Sequence, residues 1–361
     1  MSGLLDAIYQ KAEDLRIPLN VLLELTNRCN ENCLHCYIKD ARDINSLSND
    51  DKELTRAQVT SLLDELAREG ALNLILSGGE AMLREDFFDI AYFARSRNFA
   101  ITIFSNGQLL DQAKAKRLAD LSPVCIYFSL YGSNADTHDR VTRVPGSFEK
   151  LQNAVILLKQ NGLKVGLKTI LMRGNIAELK EIYDLGLRMG IETHQFAEEI
   201  TSRIDGSGAS EAVQIDESAL FAYYRQDVPN PPEYIKELPQ EEARKKEICS
   251  AGTYGVAVSC YGDVYPCAEL RLPLGNIKNE TFGAIWKKQD SFLEKLRSIK
   301  QYGDLEDCRE CALVNFCRRC HGRAWYEAGD WSSCYENAHK RAFLNKRINT
   351  EIRRKKEVIP G

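Results

Sequence analysis

The chain has 361 residues, of which 44% are hydrophobic and 28% charged, a composition typical of a globular protein with one large and one small domain. A formal net charge of −4 gives no electrostatic footprint for nucleic acid, and the apolar runs fall well short of the roughly 20 residues that a membrane-spanning helix needs. The N-terminus carries acidic residues and no apolar signal sequence. We therefore predict a cytoplasmic protein that binds neither nucleic acid nor membrane.

Residues 20–200 repeat one pattern, in which a short β-rich run is followed by an amphipathic helical stretch. The predicted strands are 20–26, 71–77, 99–105, 124–130, 164–171 and 191–197. The predicted helices lie near 55–70, 86–97, 111–120, 147–161 and 175–189. Near-continuous apolar strands alternating with helices predict a parallel α/β fold, either an open, partial (β/α)6 barrel of the TIM type or a doubly wound sheet. Both arrangements place function at the carboxyl ends of the strands.

Two helix starts are legible in this region. Thr55 with Gln58, and Asn175 with Glu178, have the spacing of capping boxes.

The remaining chain divides by composition. We predict an N-terminal segment (1–19), a barrel (20–205), a bridging region (206–248) with a helix near 216–226, a cysteine-rich domain (249–340) and a C-terminal helix and tail (341–361). The cysteine-rich part has β elements at 254–259 and 264–265 and helical patterns at 281–298 and 335–352. Eight of the twelve cysteines lie between 249 and 334. Clustered cysteines in a reducing compartment indicate metal binding.

Cys29, Cys33 and Cys36 directly follow the first predicted strand with C-x3-C-x2-C spacing. Three thiolates on one tight loop can bind three irons of a cubane cluster and leave the fourth iron without a protein ligand. An open coordination position is what a catalytic metal centre needs. A zinc site is the alternative, but zinc prefers four ligands and no fourth cysteine is adjacent.

This loop resembles the C-x3-C-x-φ-C signature of the radical S-adenosylmethionine (SAM) superfamily, with His35 at the aromatic position φ. The resemblance implies a [4Fe–4S] cluster that binds SAM and cleaves it reductively to methionine and a 5′-deoxyadenosyl radical. Cys29, Cys33 and Cys36 are then the catalytic residues.

Ser77-Gly78-Gly79-Glu80 resembles the family's GGE motif, with Ala81 where family members usually have proline. The resemblance implies that the glycines let the backbone approach the methionyl group of SAM and that Glu80 receives its amino group. The other predicted SAM contacts are His35, Ser105, Asn106, Ser129 and Arg143, with Arg140 as an alternative to Arg143 for the SAM carboxylate.

The C-terminal cysteines form the pattern C-x12-G-x4-C, then C-x2-C-x5-C-x2-C, then a final cysteine. Seven cysteines at these spacings exceed the need of one zinc ion. The pattern resembles the SPASM extension of radical SAM enzymes, which implies two auxiliary [4Fe–4S] clusters and three clusters in all. By that resemblance the first auxiliary cluster is held by Cys249, Cys267 and Cys320, and the second by Cys308, Cys311, Cys317 and Cys334. Cys260 either completes the first set or is a plain strand cysteine, and we favour the strand cysteine.

The resemblance to SPASM enzymes implies a ribosomally made precursor peptide as substrate, matured by a cross-link or a backbone excision. The short segment before the first strand predicts a separate leader-binding protein, and a flavodoxin- or ferredoxin-type protein would donate the electron. Three alternatives stay open: haem or tetrapyrrole modification, sulfatase maturation, and a non-catalytic iron–sulfur scaffold or electron carrier. Sulfatase maturation is disfavoured because Ala268 follows Cys267 where that family has aspartate, with Glu269 one place further on.

Overall fold

The computed structural model describes residues 2–38, 53–200, 202–204, 212–224, 235–289 and 291–358. The strands in these ranges are β1 (Asn20–Glu24), β2 (Asn73–Ser77), β3 (Ala100–Ser105), β4 (Cys125–Ser129), β5 (Val165–Ile170), β6 (Thr193–Ala197), β7 (Gly255–Val258), β8 (Asp263–Tyr265) and β9 (Gly275–Asn276). The helices are α1 (Ser2–Asp14), α2 (Arg56–Arg68), α3 (Phe87–Ser96), α4 (Gln112–Leu121), α5 (Ala135–Thr142), α6 (Ser147–Gln160), α7 (Leu179–Arg188), α8 (Glu217–Tyr224), α9 (Gln240–Ala243), α10 (Phe282–Lys287), α11 (Ser291–Ser298), α12 (Glu306–Arg309), α13 (His321–Ala328) and α14 (Glu336–Val358). None of the helices described is both long and apolar enough to cross a lipid bilayer.

The strands form one sheet in the order β6-β5-β4-β3-β2-β1-β7-β8-β9. From β1 to β6 every pair of neighbours is parallel and consecutive in sequence. A doubly wound sheet reverses its strand order at a switch point, and this sheet does not. The predicted open, partial (β/α)6 barrel is therefore confirmed.

The two faces of the sheet differ in burial. Alternate residues such as Leu23, Leu76, Ile103 and Phe128 are fully buried in the main core, beneath the helices. The residues between them, such as Lys168 on β5, point to the other face and are only partly buried. The uncovered face therefore remains open at the carboxyl ends of the strands.

The cysteine-rich region shares this sheet. β7 pairs in parallel with β1, from Asn20 opposite Gly255 to Leu23 opposite Val258. β8 and β9 continue the sheet in antiparallel pairs. Side chains of β7 and α10 belong to the same core as the barrel helices. The predicted boundary between 205 and 206 lies outside the described residues.

Three local expectations have different outcomes. The capping box of Thr55 and Gln58 at the start of α2 is confirmed. The second box is wrong: Asn175 accepts a bond from the backbone N–H of Met172 (2.7 Å) instead of capping a helix, and Glu178 binds donors of the loop between β4 and α5. The single helical pattern at 281–298 is two helices, α10 and α11.

Candidate functional site

The loop with Cys29, Cys33 and Cys36 leaves the carboxyl end of β1. The three thiols lie close enough for their charges to act on one another, and burial raises the pKa of Cys29 to about 12. The loop backbone is held by α5, because the N–H groups of Asn32 and Leu34 donate to carbonyls in the last turn of that helix, each at 3.0 Å. The donor set suits a cluster with three protein ligands, provided that the thiols lose their protons on binding iron.

Gly78 and Gly79 pack directly against the start of the cysteine loop. Gly78 has a φ of +133°, and a Cβ on either glycine would collide with a backbone carbonyl, that of Thr26 or that of Arg28. The N–H groups of Gly79 and Glu80 donate to these same two carbonyls, at 2.7 and 2.8 Å. Glycine is therefore required at both positions for the end of β2 to pack against the loop after β1. The resemblance to the GGE motif did not imply this packing role.

Glu80 bonds to two other residues predicted to contact SAM, Ser105 and Asn106. Its fully buried carboxylate accepts bonds from the Met82 N–H (3.1 Å), the Ser105 hydroxyl (3.0 Å) and the Asn106 N–H (2.7 Å). Burial raises the pKa of Glu80 despite these bonds. The Asn106 side-chain amide lies 3.8 Å from the Cys29 sulfur. The structure thus brings Glu80, Ser105 and Asn106 together beside the cysteine loop.

The other predicted SAM contacts differ in exposure. His35 is buried, with Nε2 3.1 Å from the Tyr131 hydroxyl and Nδ1 unpartnered among the described residues, and burial lowers its pKa to about 4. Ser129 is half-buried at the end of β4. Arg143 is exposed at the end of α5, whereas Arg140 donates to a neighbouring hydroxyl and carbonyl. Exposure alone does not place Arg143 in the site, and its role stays a prediction.

Two buried residues beside the loop were missed. Glu31 accepts a bond from the Cys33 thiol (3.4 Å), and burial raises its pKa to about 8. Tyr131 lies between two histidines, edge-on to His35 and stacked on His138. Glu31 lies inside the cysteine motif at a position the motif leaves unspecified, and Tyr131 lies just past a strand end. Neither position carried a sequence signal.

The later cysteines separate into two groups. Cys308, Cys311, Cys317 and Cys334 line one cavity. Cys267 lies close enough to Cys249 and Cys320 for their charges to raise its pKa. These are the two ligand sets that the SPASM resemblance implied, and ligation itself stays a prediction. In the described ranges no group of three or more His, Cys, Asp or Glu side chains has an arrangement that could hold a single metal ion.

Cys260 lies apart from both groups. It is buried next to Glu53 and Glu24, whose charges, after burial, raise its pKa most. In the described part of the chain, no cysteine is among the groups with the largest effect on its pKa. The expectation of a strand cysteine is wrong in one respect, because Cys260 lies in the turn between β7 and β8 and not within a strand.

A buried ion pair connects the barrel to the segment after Cys267. Arg271 binds both carboxylate oxygens of Glu24 at the end of β1, at 3.2 and 2.5 Å. The Tyr37 hydroxyl donates to the same carboxylate at 2.8 Å. The residue after Cys36 and the residue four places after Cys267 therefore share one anchor.

A cavity opens where β6 meets the cysteine-rich region and α14. Its lining mixes apolar side chains with charged and amide side chains. The apolar ones are Phe196, Ala197, Ile235, Ile348 and Ile352, and the polar ones are Glu198, Glu199, Glu269, Arg318, Arg323, Arg341, Asn345 and Asn349, together with Cys320. Two arginines are ion-paired there, Arg323 with Glu199 (3.0 Å) and Arg341 with Glu198 (3.2 Å). Burial raises the pKa of Glu198. The lining comes from five separate parts of the chain, so the sequence did not reveal it.

Comparisons with known proteins agree with this geometry. The family model of the radical SAM superfamily matches residues 23–186, and that of SPASM, an iron–sulfur cluster-binding domain, matches residues 249–321. The chain is 28% identical over 337 residues to the AdoMet-dependent heme synthase of Methanosarcina barkeri, which covers 87% of this chain and 94% of that protein. It is 26% identical over 329 residues to the mycofactocin maturase MftC of Mycobacterium tuberculosis, covering 86% and 80%.

The fold is also similar to that of Streptococcus suis SuiB bound to its precursor peptide SuiA. The TM-score is 0.68 at 14% identity, covering 91% of this chain and 78% of that one.

Proposed function

The chain is an enzyme that belongs to the radical SAM superfamily and carries a SPASM domain, and from this premise we propose that it oxidises a tetrapyrrole bearing carboxylate side chains. The observation that carries the proposal is the cavity lined in part by Cys320, which combines apolar side chains with three arginines. A macrocycle would pack on the apolar side chains, and guanidinium groups are the preferred partners of carboxylates. The full-length similarity to a heme synthase supports the same substrate class.

We assign the SAM site to the carboxyl ends of β1 to β4. Cys29, Cys33 and Cys36 would hold the cluster, and the network around Glu80 would orient SAM. When bound, the cluster and SAM supply an electron and a 5′-deoxyadenosyl radical that removes hydrogen from the substrate. The protein's own part is to exclude water and fix the substrate.

Among the described residues, two of the three arginines that line the cavity have N–H groups free to bind an anion. Arg318 forms no direct ion pair in the described part of the chain, although its charge reaches Glu198. Arg323 uses its Nε on Glu199, which leaves its terminal N–H groups for other acceptors. An incoming carboxylate can therefore bind without displacing either glutamate.

A precursor peptide is the second candidate substrate. It is supported by the similarity to mycofactocin maturase and by the shared fold with SuiB, which was seen with a precursor peptide. A peptide offers backbone acceptors to the same arginines. In this case a separate leader-binding protein is the expected partner.

The two candidates are distinguished by anaerobic turnover. The reconstituted enzyme would be reduced with dithionite or flavodoxin and given SAM with an iron porphyrin bearing propionates, its methyl ester, or a precursor peptide encoded beside the gene. We expect 5′-deoxyadenosine and a porphyrin mass change only with the free acid. Substitution Arg318→Met should raise KM for the porphyrin several-fold without changing SAM cleavage in its absence. Turnover of the peptide but not of the porphyrin would reject the tetrapyrrole.

A further inference from the structure

Arg319 lies in the chain between the two auxiliary cysteine groups. Cys317, two residues before it, belongs to the group of four, and Cys320, directly after it, belongs to the group of three. The whole Arg319 residue is only 5% exposed. A guanidinium ion is rarely buried to this extent without a specific partner.

The partners of Arg319 do not neutralise its charge. Its Nη2 donates to the carbonyls of Trp331 (3.0 Å) and Ser333 (2.8 Å), and its Nη1 lies 3.1 Å from His321 Nδ1. No carboxylate forms an ion pair with it in the described ranges. Its Nε is buried and has no hydrogen-bond partner there. A buried cation with an unsatisfied donor is costly unless an anion is bound nearby.

The position of Arg319 shows which anions it faces. It lines the cavity of Cys308, Cys311, Cys317 and Cys334. It is also bonded in the chain to Cys320, which belongs to the other group. Arg319 is thus close to thiols of both auxiliary groups.

We propose that Arg319 is a positioning residue shared by both auxiliary clusters, whose Nε–H donates to a sulfur of the cluster held by Cys308, Cys311, Cys317 and Cys334. Hydrogen bonds to sulfur and nearby positive charge both favour the reduced, more negative state of a cluster. Arg319 therefore raises the reduction potential of both auxiliary clusters. The inference rests on the auxiliary clusters assigned above and is independent of the substrate.

The first test measures potentials. Full-length protein carrying Cys29→Ala, Cys33→Ala and Cys36→Ala would be reconstituted so that only auxiliary clusters contribute, and titrated with EPR detection. Adding Arg319→Met should lower both midpoint potentials by at least a tenfold change in the oxidised-to-reduced ratio, 59 mV for one electron. Arg319→Lys, which keeps the charge, should lower them less. The matched control is Arg309→Met, an exposed arginine directly after Cys308. Equal potentials in the Arg319→Met and Arg309→Met proteins would overturn the proposal.

The second test uses wild-type enzyme, so it does not depend on a variant that folds. Wild-type enzyme labelled with ¹⁵N at arginine Nε alone would be reconstituted, reduced and examined by pulsed EPR. The backbone amides of Arg319 and Arg323, which bond to Cys317 and Cys320, would then give no ¹⁵N signal. We expect a ¹⁵N coupling on an auxiliary cluster, a signature that a purely structural arginine would not give. Failure to detect arginine nitrogen on a reduced auxiliary cluster would reject the N–H to sulfur bond. This outcome is independent of turnover, so it is separable from failure of the proposed substrate.

Discussion

The buried pair of Glu24 and Arg271 joins the barrel to the segment after Cys267, and breaking it should cause a large loss of stability. Their side chains are 2% and 9% exposed, and Arg271 binds both carboxylate oxygens. Removing one partner of a buried pair leaves an uncompensated charge, which costs about 3–5 kcal/mol. We therefore expect Arg271→Met to lower the free energy of unfolding by about that amount. Glu24→Gln combined with Arg271→Met should recover most of the loss, because no charge remains and the amide oxygen still accepts from Tyr37.

The assay is anaerobic urea unfolding of the reconstituted protein, followed by tryptophan fluorescence. Arg56→Met is the control, since Arg56 and Asp89 form an ion pair whose side chains are 60% and 54% exposed, and such pairs contribute less than about 1 kcal/mol. If Arg271→Met costs no more than Arg56→Met, or if the double variant is as unstable as the single one, the reasoning from buried charge is refuted.

Three further outcomes are expected. Gly79→Ala should destabilise the protein by about 1–3 kcal/mol and reduce its iron content, because the new Cβ meets backbone, whereas Gly174→Ala, with open space at Cβ, should be neutral in the same assays. Cys334→Ala should remove about four iron atoms per chain and Cys260→Ala none, by iron and sulfide analysis; equal losses would contradict the grouping. Burial lowers the pKa of Lys168 to about 8 from 10.5, so the folded state loses its proton first and stability rises with pH between these values. Lys168→Met should therefore be more stable than wild type by about 1–3 kcal/mol below pH 8, with the gain fading towards pH 10.5 in unfolding measured across that range.

The barrel was predictable from the sequence because its strands are buried on the helix-covered face and bounded by turns. All six predicted strands are present, since parallel strands in such a sheet need near-continuous apolar residues. α5 was missed because it is short and polar, with few buried apolar side chains such as Val141. Its stability comes from tertiary contacts, which no local pattern records.

The sequence predicted that the cysteines bind metal, but it did not predict which residues surround them. The density of C-terminal cysteines indicated metal binding, but their division into two groups was implied by the resemblance to SPASM domains and not by their spacing alone. The cavity near β6 combines Glu198, Glu269, Arg318 and Arg341, which are separated by up to 143 residues. The sequence did not distinguish Arg319 from its neighbour Arg318. The packing of other segments decides which charge is buried, and no local pattern records it.

The sheet sets the position of Cys267 relative to the loop of Cys29, Cys33 and Cys36. β1 ends at the loop of Cys29, Cys33 and Cys36, and β7, which precedes Cys267, pairs with β1 in register over four residues. Hydrogen bonds of a sheet resist displacement along the strands, because a slip would turn buried side chains outward. The ion pair of Glu24 and Arg271 adds a second attachment just beyond the strand ends. Cys267 is therefore positioned relative to the loop of Cys29, Cys33 and Cys36 by one sheet and one ion pair. We expect changes in the bridging region, which contributes Ile235 to the cavity near β6, to alter that cavity more than the distance between Cys267 and this loop.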